Sequence, residues 1–211
     1  MGMQNELDRN LLQRVLDASD VKSVNEESFQ ERARAIEELC NRGANPCAFN
    51  KFSTMSVESS ALIMASAMDL RELVRLMLKS PQALANPSAV DQEGDTALHA
   101  AVLGGSLGCF NLLCGLSDVN IRNRRGKTPL MLALSDQEWE MFEALAPLSD
   151  LTVVDEGGMT AREQAEEFSR WGTLPSWGRM VEILRAAEER QNIELAVGQP
   201  KISGRAKSKS L

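Results

Sequence analysis

The 211-residue chain has no tyrosine, a single histidine and only 4% aromatic residues. So few rings suit short helices packed through Leu, Ala, Val and Met, and suit the core of a β-sandwich or barrel poorly. One histidine leaves any His-dependent reaction a single residue to use, His99. The four cysteines (Cys40, Cys47, Cys109 and Cys114) form no C-x-x-C pair, so no Cys/His zinc pattern exists and no metal is expected. Reduced thiols in a cytoplasmic protein are the expectation. No apolar run approaches eighteen residues, and no membrane span is expected. The opening octet Met1–Asp8 has neither a basic n-region nor an apolar h-region, so no Sec signal is expected. Glu6 stands where a myristoylation motif requires Ser or Thr. A G-x-x-x-x-G-K-[ST] phosphate loop is missing, and no cofactor is expected.

Charge is short on one side. The formal net charge is −7. Residues 198–211 hold Lys201, Arg205, Lys207 and Lys209 and no acid, which leaves the other 197 residues at −11. An acidic body disfavours nucleic-acid binding and attracts basic surfaces.

What the chain does contain is a period. Asp91-Gln-Glu-Gly-Asp-Thr-Ala-Leu-His-Ala100 returns thirty-two residues later as Asn123-Arg-Arg-Gly-Lys-Thr-Pro-Leu-Met-Leu132. After another thirty-two it returns as Asp155-Glu-Gly-Gly-Met-Thr-Ala-Arg-Glu-Gln164. Each copy reads as a turn feeding two helices. In the first copy, a helix opening at Thr96 is broken by Gly104-Gly105. The second helix follows over Leu107–Leu113, with Leu107, Phe110, Leu113 and Cys114 on one face. In the next copy Pro129 sits in the first helical turn, and Trp139–Leu145 is the second helix, stopped by Pro147. Upstream, Ser60–Ala67 and Asp69–Leu78 read as a looser helix pair. Ser60 precedes Thr96 by thirty-six residues, so Ser80–Asn86 holds the excess. Phe29–Cys40 and Leu7–Leu16 read as two further helices. Downstream, Phe168–Arg179 reads as an insertion carrying Trp171 and Trp177, before a closing helix over Met180–Arg190.

A fixed period near thirty-three with this Gly-x-Thr content resembles the ankyrin-repeat family, over residues of about 29–190. The resemblance implies an all-α solenoid of four to five stacked helix–turn–helix units with β-turn fingers and irregular terminal caps. The corresponding division is an N-terminal cap over 1–28, units at 29–49, 50–90, 91–122, 123–154 and 155–190, and a disordered basic tail over 191–211. It implies a single elongated domain, expected to be a monomer, that binds another protein on the concave side made by fingers and first helices. Carried over residue by residue, the finger positions are Gln92, Glu93 and Asp95, then Arg124, Arg125 and Lys127, then Glu156 and Met159. The positions after the first helices are Leu103 and Ser106, then Ser135, Asp136 and Glu138. In this family the residue at His99 ties turns together by hydrogen bonds.

The third finger is acidic and the fourth basic, with four cations between Arg122 and Lys127. Two readings stand side by side: neighbouring fingers pair with each other, or the basic finger engages an acidic partner segment. Trp171 and Trp177 likewise read either as cover for the end of the core or as exposed anchors flanked by Arg170 and Arg179. The glutamate pairs Glu37/Glu38 and Glu166/Glu167 read as solvated helix faces. No catalytic constellation emerges; a Cys–His pair of His99 with Cys109 or Cys114 lacks an orienting third group. The functional expectation is a non-enzymatic interaction module. One setting is a secreted bacterial effector acting on host proteins through a non-cleaved signal in the basic tail. The other is a cytosolic adaptor or inhibitor blocking a basic partner surface.

Overall fold

The computed structural model describes residues 2–19, 26–48, 50–51, 58–171 and 176–196. Among them are eleven helices: α1 (Gly2–Ser19), α2 (Glu26–Asn41), α3 (Ala61–Ala67), α4 (Arg71–Met77), α5 (Pro81–Ala85), α6 (Ala97–Leu103), α7 (Leu107–Leu113), α8 (Pro129–Ser135), α9 (Trp139–Leu145), α10 (Ala161–Trp171) and α11 (Ser176–Ala196). The all-α expectation is met. The extended structure is slight: β1 (Asn50–Lys51) pairs antiparallel with β2 (Glu58–Ser59), and single bridges join Val90 to Thr96 and Val154 to Thr160.

The repeated Gly-x-Thr has a local physical reason. Gly94, Gly126 and Gly158 adopt φ of 77°, 71° and 76°, a region open to glycine and costly for other residues. Two residues later the threonine ends the turn and caps a helix. The hydroxyl oxygen of Thr96 accepts from the His99 N–H at 3.3 Å, and that of Thr128 from the Met131 N–H at 3.4 Å. Thr160 and Glu163 form the equivalent pair around α10. Ser60 performs this task for α3 and Ser80 for α5. The excess residues between α4 and the third finger thus form a helix of their own.

The chain divides into two compact units, Met1–Leu116 and Ser117–Leu211, rather than one. In the first, α1 packs on α2 and α3, α2 on α4, and α3 on α6. Its core takes Leu11, Leu12 and Val15 from α1, Ile36 from α2, Leu73 and Met77 from α4, and Leu98, Phe110 and Leu113 from the third repeat, all fully buried or within 1% of it. Each such side chain contributes about 1.5–3 kcal/mol through removal of apolar surface from water. On α7 the buried face includes Cys109, while Leu107 is 37% exposed and Cys114 only half-buried, which rotates the expected face by one residue. In the second unit α8 packs on α9 and α10, and α10 on α11, around Leu130, Phe142, Leu145 and Leu184.

Three boundaries differ from expectation. α2 begins at Glu26, so the division at residue 28 falls inside a helix. The expected insertion is largely helical, because α10 runs to Trp171 and α11 starts at Ser176; residues 172–175 lie outside the described residues. Trp177 is the reason: it is 6% exposed, edge-on to Trp139 at 5.2 Å and tilted against Phe168 at 4.9 Å, so both helix ends are held by aromatic packing. α11 also continues to Ala196, into the segment expected to be tail. Gln191 anchors that extension by donating to the Ser149 carbonyl at 2.6 Å, and Gly198 is the first helix breaker beyond it. Residues 197–211 lie outside the described residues.

Candidate partner-binding site

Each finger is a short turn tied by its first residue. The Asp91 carboxylate accepts from the Glu93 and Asp95 N–H groups, both at 2.9 Å. The Asp155 carboxylate does likewise for Gly157 and Met159. In the fourth finger the side-chain oxygen of Asn123 accepts from Arg125 and Lys127, both at 3.0 Å. The backbone adds two bonds between Asn123 and Lys127 or Gly126. A Glu156 N–H to Arg125 carbonyl bond of 3.2 Å ties the fourth finger to the fifth. Gly126 permits that approach: a Cβ there would lie 2.7 Å from the Glu156 nitrogen.

On this fixed loop Arg124 and Arg125 are exposed. Neither guanidinium has a hydrogen bond or ion pair among the described residues. Arg122 folds back, its Nε donating to the Gly126 carbonyl at 3.2 Å. Lys127 Nζ donates to the Ser135 hydroxyl at 2.8 Å, and Ser135 in turn donates to the Met131 carbonyl. The finger therefore touches the last residue of α8. There the turn to α9 presents Asp136 exposed and Glu138 half-buried, with Gln137 between them at φ 63°. The same place in the earlier repeats holds Asp69 at φ 53° and Gly105 at φ 63°.

Three other arginines of the unit behave differently, whereas Arg170 and Arg190 are exposed with no ion pair among the described residues. Arg162 donates to Glu188 at 3.0 Å and Glu166 at 2.9 Å, Arg185 reaches Glu166 at 3.4 Å, and Arg179 lies 2.8 Å from Glu143. Glu166 is thus an acceptor for two arginines and not simply solvated. The Arg162 hydrogen bond holds its carboxyl below the ordinary value. Glu37 lies 3.8 Å from Lys79.

The sequence-derived positions separate into two groups. Gln92, Glu93, Arg124, Arg125, Asp136 and Glu156 are exposed, and Lys127, Ser135, Glu138 and Met159 are half-buried. Leu103 is 46% exposed. Asp95, by contrast, is 8% exposed, so it belongs to the base of its finger and not to the tip. Ser106 is buried because its hydroxyl donates to the Ala67 carbonyl at 3.3 Å. Trp177 is in the core of its unit and offers no exposed anchor. The Trp171 side chain lies outside the described residues. Sequence reasoning missed two features of this surface, the anchoring role of Asn123 and the left-handed Gln137. Both were encoded by the period, which aligns them with Asp91 and Gly105.

The groups considered for chemistry are held in structural roles. His99 is fully buried, and its Nδ1 accepts the Thr96 N–H at 3.2 Å, closing a capping box. Burial pushes the Cys109 thiol up to about 12, with Asp69 adding to the effect, and the Cys40 and Cys47 thiols up to about 11. Burial raises Cys114 as well. Thiols shifted this way are poor nucleophiles at neutral pH. No group of three or more His, Cys, Asp or Glu among the described residues could hold a metal ion. No described helix is long and apolar enough to cross a membrane.

The family model for ankyrin repeats (3 copies) matches residues 28–123 and 62–155. Rabankyrin-5 of Homo sapiens is 32% identical over 105 residues, which cover 46% of this chain and 9% of that protein. The chain therefore spans only a small fraction of that relative's length. The two family matches run together from residue 28 to residue 155, more than half of the sequence: the chain belongs to the ankyrin-repeat family.

Proposed function

We propose that this chain is a protein-binding module without enzymatic activity, and that its fourth finger takes an acidic segment of a partner protein. Ankyrin repeats are interaction modules, which supports the first part. One observation carries the second. In a unit whose residues 117–196 hold fifteen acids against nine Lys and Arg, three of the five arginines of α10 and α11, at 162, 179 and 185, are paired with glutamates. Arg124 and Arg125 are exposed on a loop tied by Asn123, and neither guanidinium has an ion pair among the described residues. In this reading the partner lies along the fingers and first helices, with Lys127, Ser135, Asp136, Glu138 and Glu156 lining the contact.

Affinity capture followed by mass spectrometry, with the wild type and an Arg124→Glu/Arg125→Glu/Lys127→Glu variant side by side, tests the reading. The partner should be captured by the wild type and lost, by about tenfold or more, from the variant. Equal capture by a folded variant would remove the basic finger from the site.

Two cellular settings accompany this proposal. The basic residues of 198–211 motivate a secreted effector, with virulence as its context; secretion that survives deletion of 198–211 would count against a signal in the tail. The acid excess favours a cytoplasmic adaptor or inhibitor that covers a basic partner surface. A cell-fractionation experiment with the full chain separates the two.

A further inference from the structure

The turn after α8 departs from what its place in the fold favours. Asp136 is the C-cap of α8, where the last carbonyls already carry partial negative charge and a carboxylate is repelled. It is exposed, and no cation pairs with it among the described residues. Gln137 holds a left-handed φ of 63°, where Gly105 stands in the preceding repeat and Asp69, at φ 53°, in the one before it. Glu138 adds a second carboxylate beside it. The fourth finger makes the opposite departure. Arg122, Arg124 and Arg125 fall within four residues, and the anchor of the loop is the neutral Asn123, whereas Asp91 and Asp155 bring a charge to the third and fifth fingers. The Lys127–Ser135 bond of 2.8 Å makes finger and turn one continuous surface. Local costs left uncompensated inside a chain mark positions whose complement lies outside it.

We infer that this surface of the second unit recognises an extended peptide segment of mixed charge, with acidic residues on Arg124 and Arg125 and a lysine or arginine on Asp136 and Glu138. The inference rests on the basic-finger reading and narrows it. A uniform polyanion, nucleic acid included, gains the finger and is repelled by the turn. A mixed segment satisfies both ends.

Fluorescence anisotropy with the full chain tests it, using three labelled probes. The first is a peptide of four glutamates, two glycines and four lysines. The others are a ten-glutamate peptide and a ten-nucleotide thymidine strand. The mixed peptide should bind most tightly. Asp136→Lys/Glu138→Lys should weaken the mixed peptide by about fivefold and strengthen the ten-glutamate peptide. Arg124→Glu/Arg125→Glu should weaken both peptides. The inference is overturned if either polyanion binds as tightly as the mixed peptide, or if the turn variant leaves the mixed peptide unchanged. In that event a loss in the finger variant still upholds the basic finger, whereas no loss in the finger variant overturns both readings. Melting curves separate folding from binding, and Asp136→Asn/Glu138→Gln, which keeps side-chain shape, replaces the lysine variant if that one is unstable.

Discussion

In the third repeat the turn between the two helices is Gly104-Gly105-Ser106, and thirty-two residues on the same turn is Asp136-Gln137-Glu138. The first version is relaxed and tightly seated. Gly105 supplies the left-handed residue without strain, Ser106 bonds to Ala67, and Gly104 lies so close to the preceding turn that a Cβ would sit 2.2 Å from the Ala67 carbonyl oxygen. The second version carries side chains at all three positions, two of them acids. The fingers invert as well, from Gln92 and Glu93 to Arg124 and Arg125. Helix starts, caps and buried faces are nevertheless the same in both: Thr96 and Thr128 cap, Leu98 and Leu130 are buried, and Phe110 and Phe142 fill the second helices. The frame and the displayed surface therefore vary independently. Requirements of packing fix the former, and solvent-facing positions are free to carry recognition.

That comparison can be broken at several points. The largest expected effect is on the tight turn. Gly104→Ala should destabilise the chain by about 1–3 kcal/mol, read from urea unfolding, since the clash is with backbone and cannot be relieved by a side-chain rotation. Asp136→Ala at the equivalent position should be neutral, or stabilising by about 0.5 kcal/mol, as a carboxylate leaves the negative end of α8. Equal responses at the two positions would show that the turns are seated alike. A smaller effect concerns strain. Gln137→Gly should stabilise by about 0.5–1 kcal/mol, the left-handed penalty partly offset by glycine's freedom in the unfolded chain. If melting does not rise, Gln137 is not strained and the turn loses one of its two departures. The smallest effect is on the finger. Asn123→Asp keeps the oxygen that accepts from Arg125 and Lys127, changes stability by no more than about 0.5 kcal/mol, and places a counter-charge among the arginines. Binding of an acidic partner should weaken by about twofold to threefold in anisotropy titrations, while the same titration with Asp91→Asn leaves the fourth finger untouched.

Much of the frame was legible in the chain. Gly94, Gly126 and Gly158 announced three turns, and the threonines that follow announced three helix starts, because both signals act within a few residues of themselves. The site was legible only in part. Residue type showed that the fourth finger is basic, but not that Asp95 is buried while Glu93 is exposed, since neighbours on a turn differ in direction and not in chemistry. The Trp-bearing segment reads as an insertion in the sequence because its length breaks the period. Length could not reveal that Trp177 folds inward onto Phe168 and onto Trp139, the latter thirty-eight residues away in the chain.

The sequence alone determined the repeat, its register, the caps and the sign of each finger, because these depend on backbone preferences and charges carried locally. The tertiary structure decided which of those residues face water, which arginines find a glutamate and which do not, and where the chain divides into two units. Those outcomes depend on distances between helices, and no residue sets such a distance by itself.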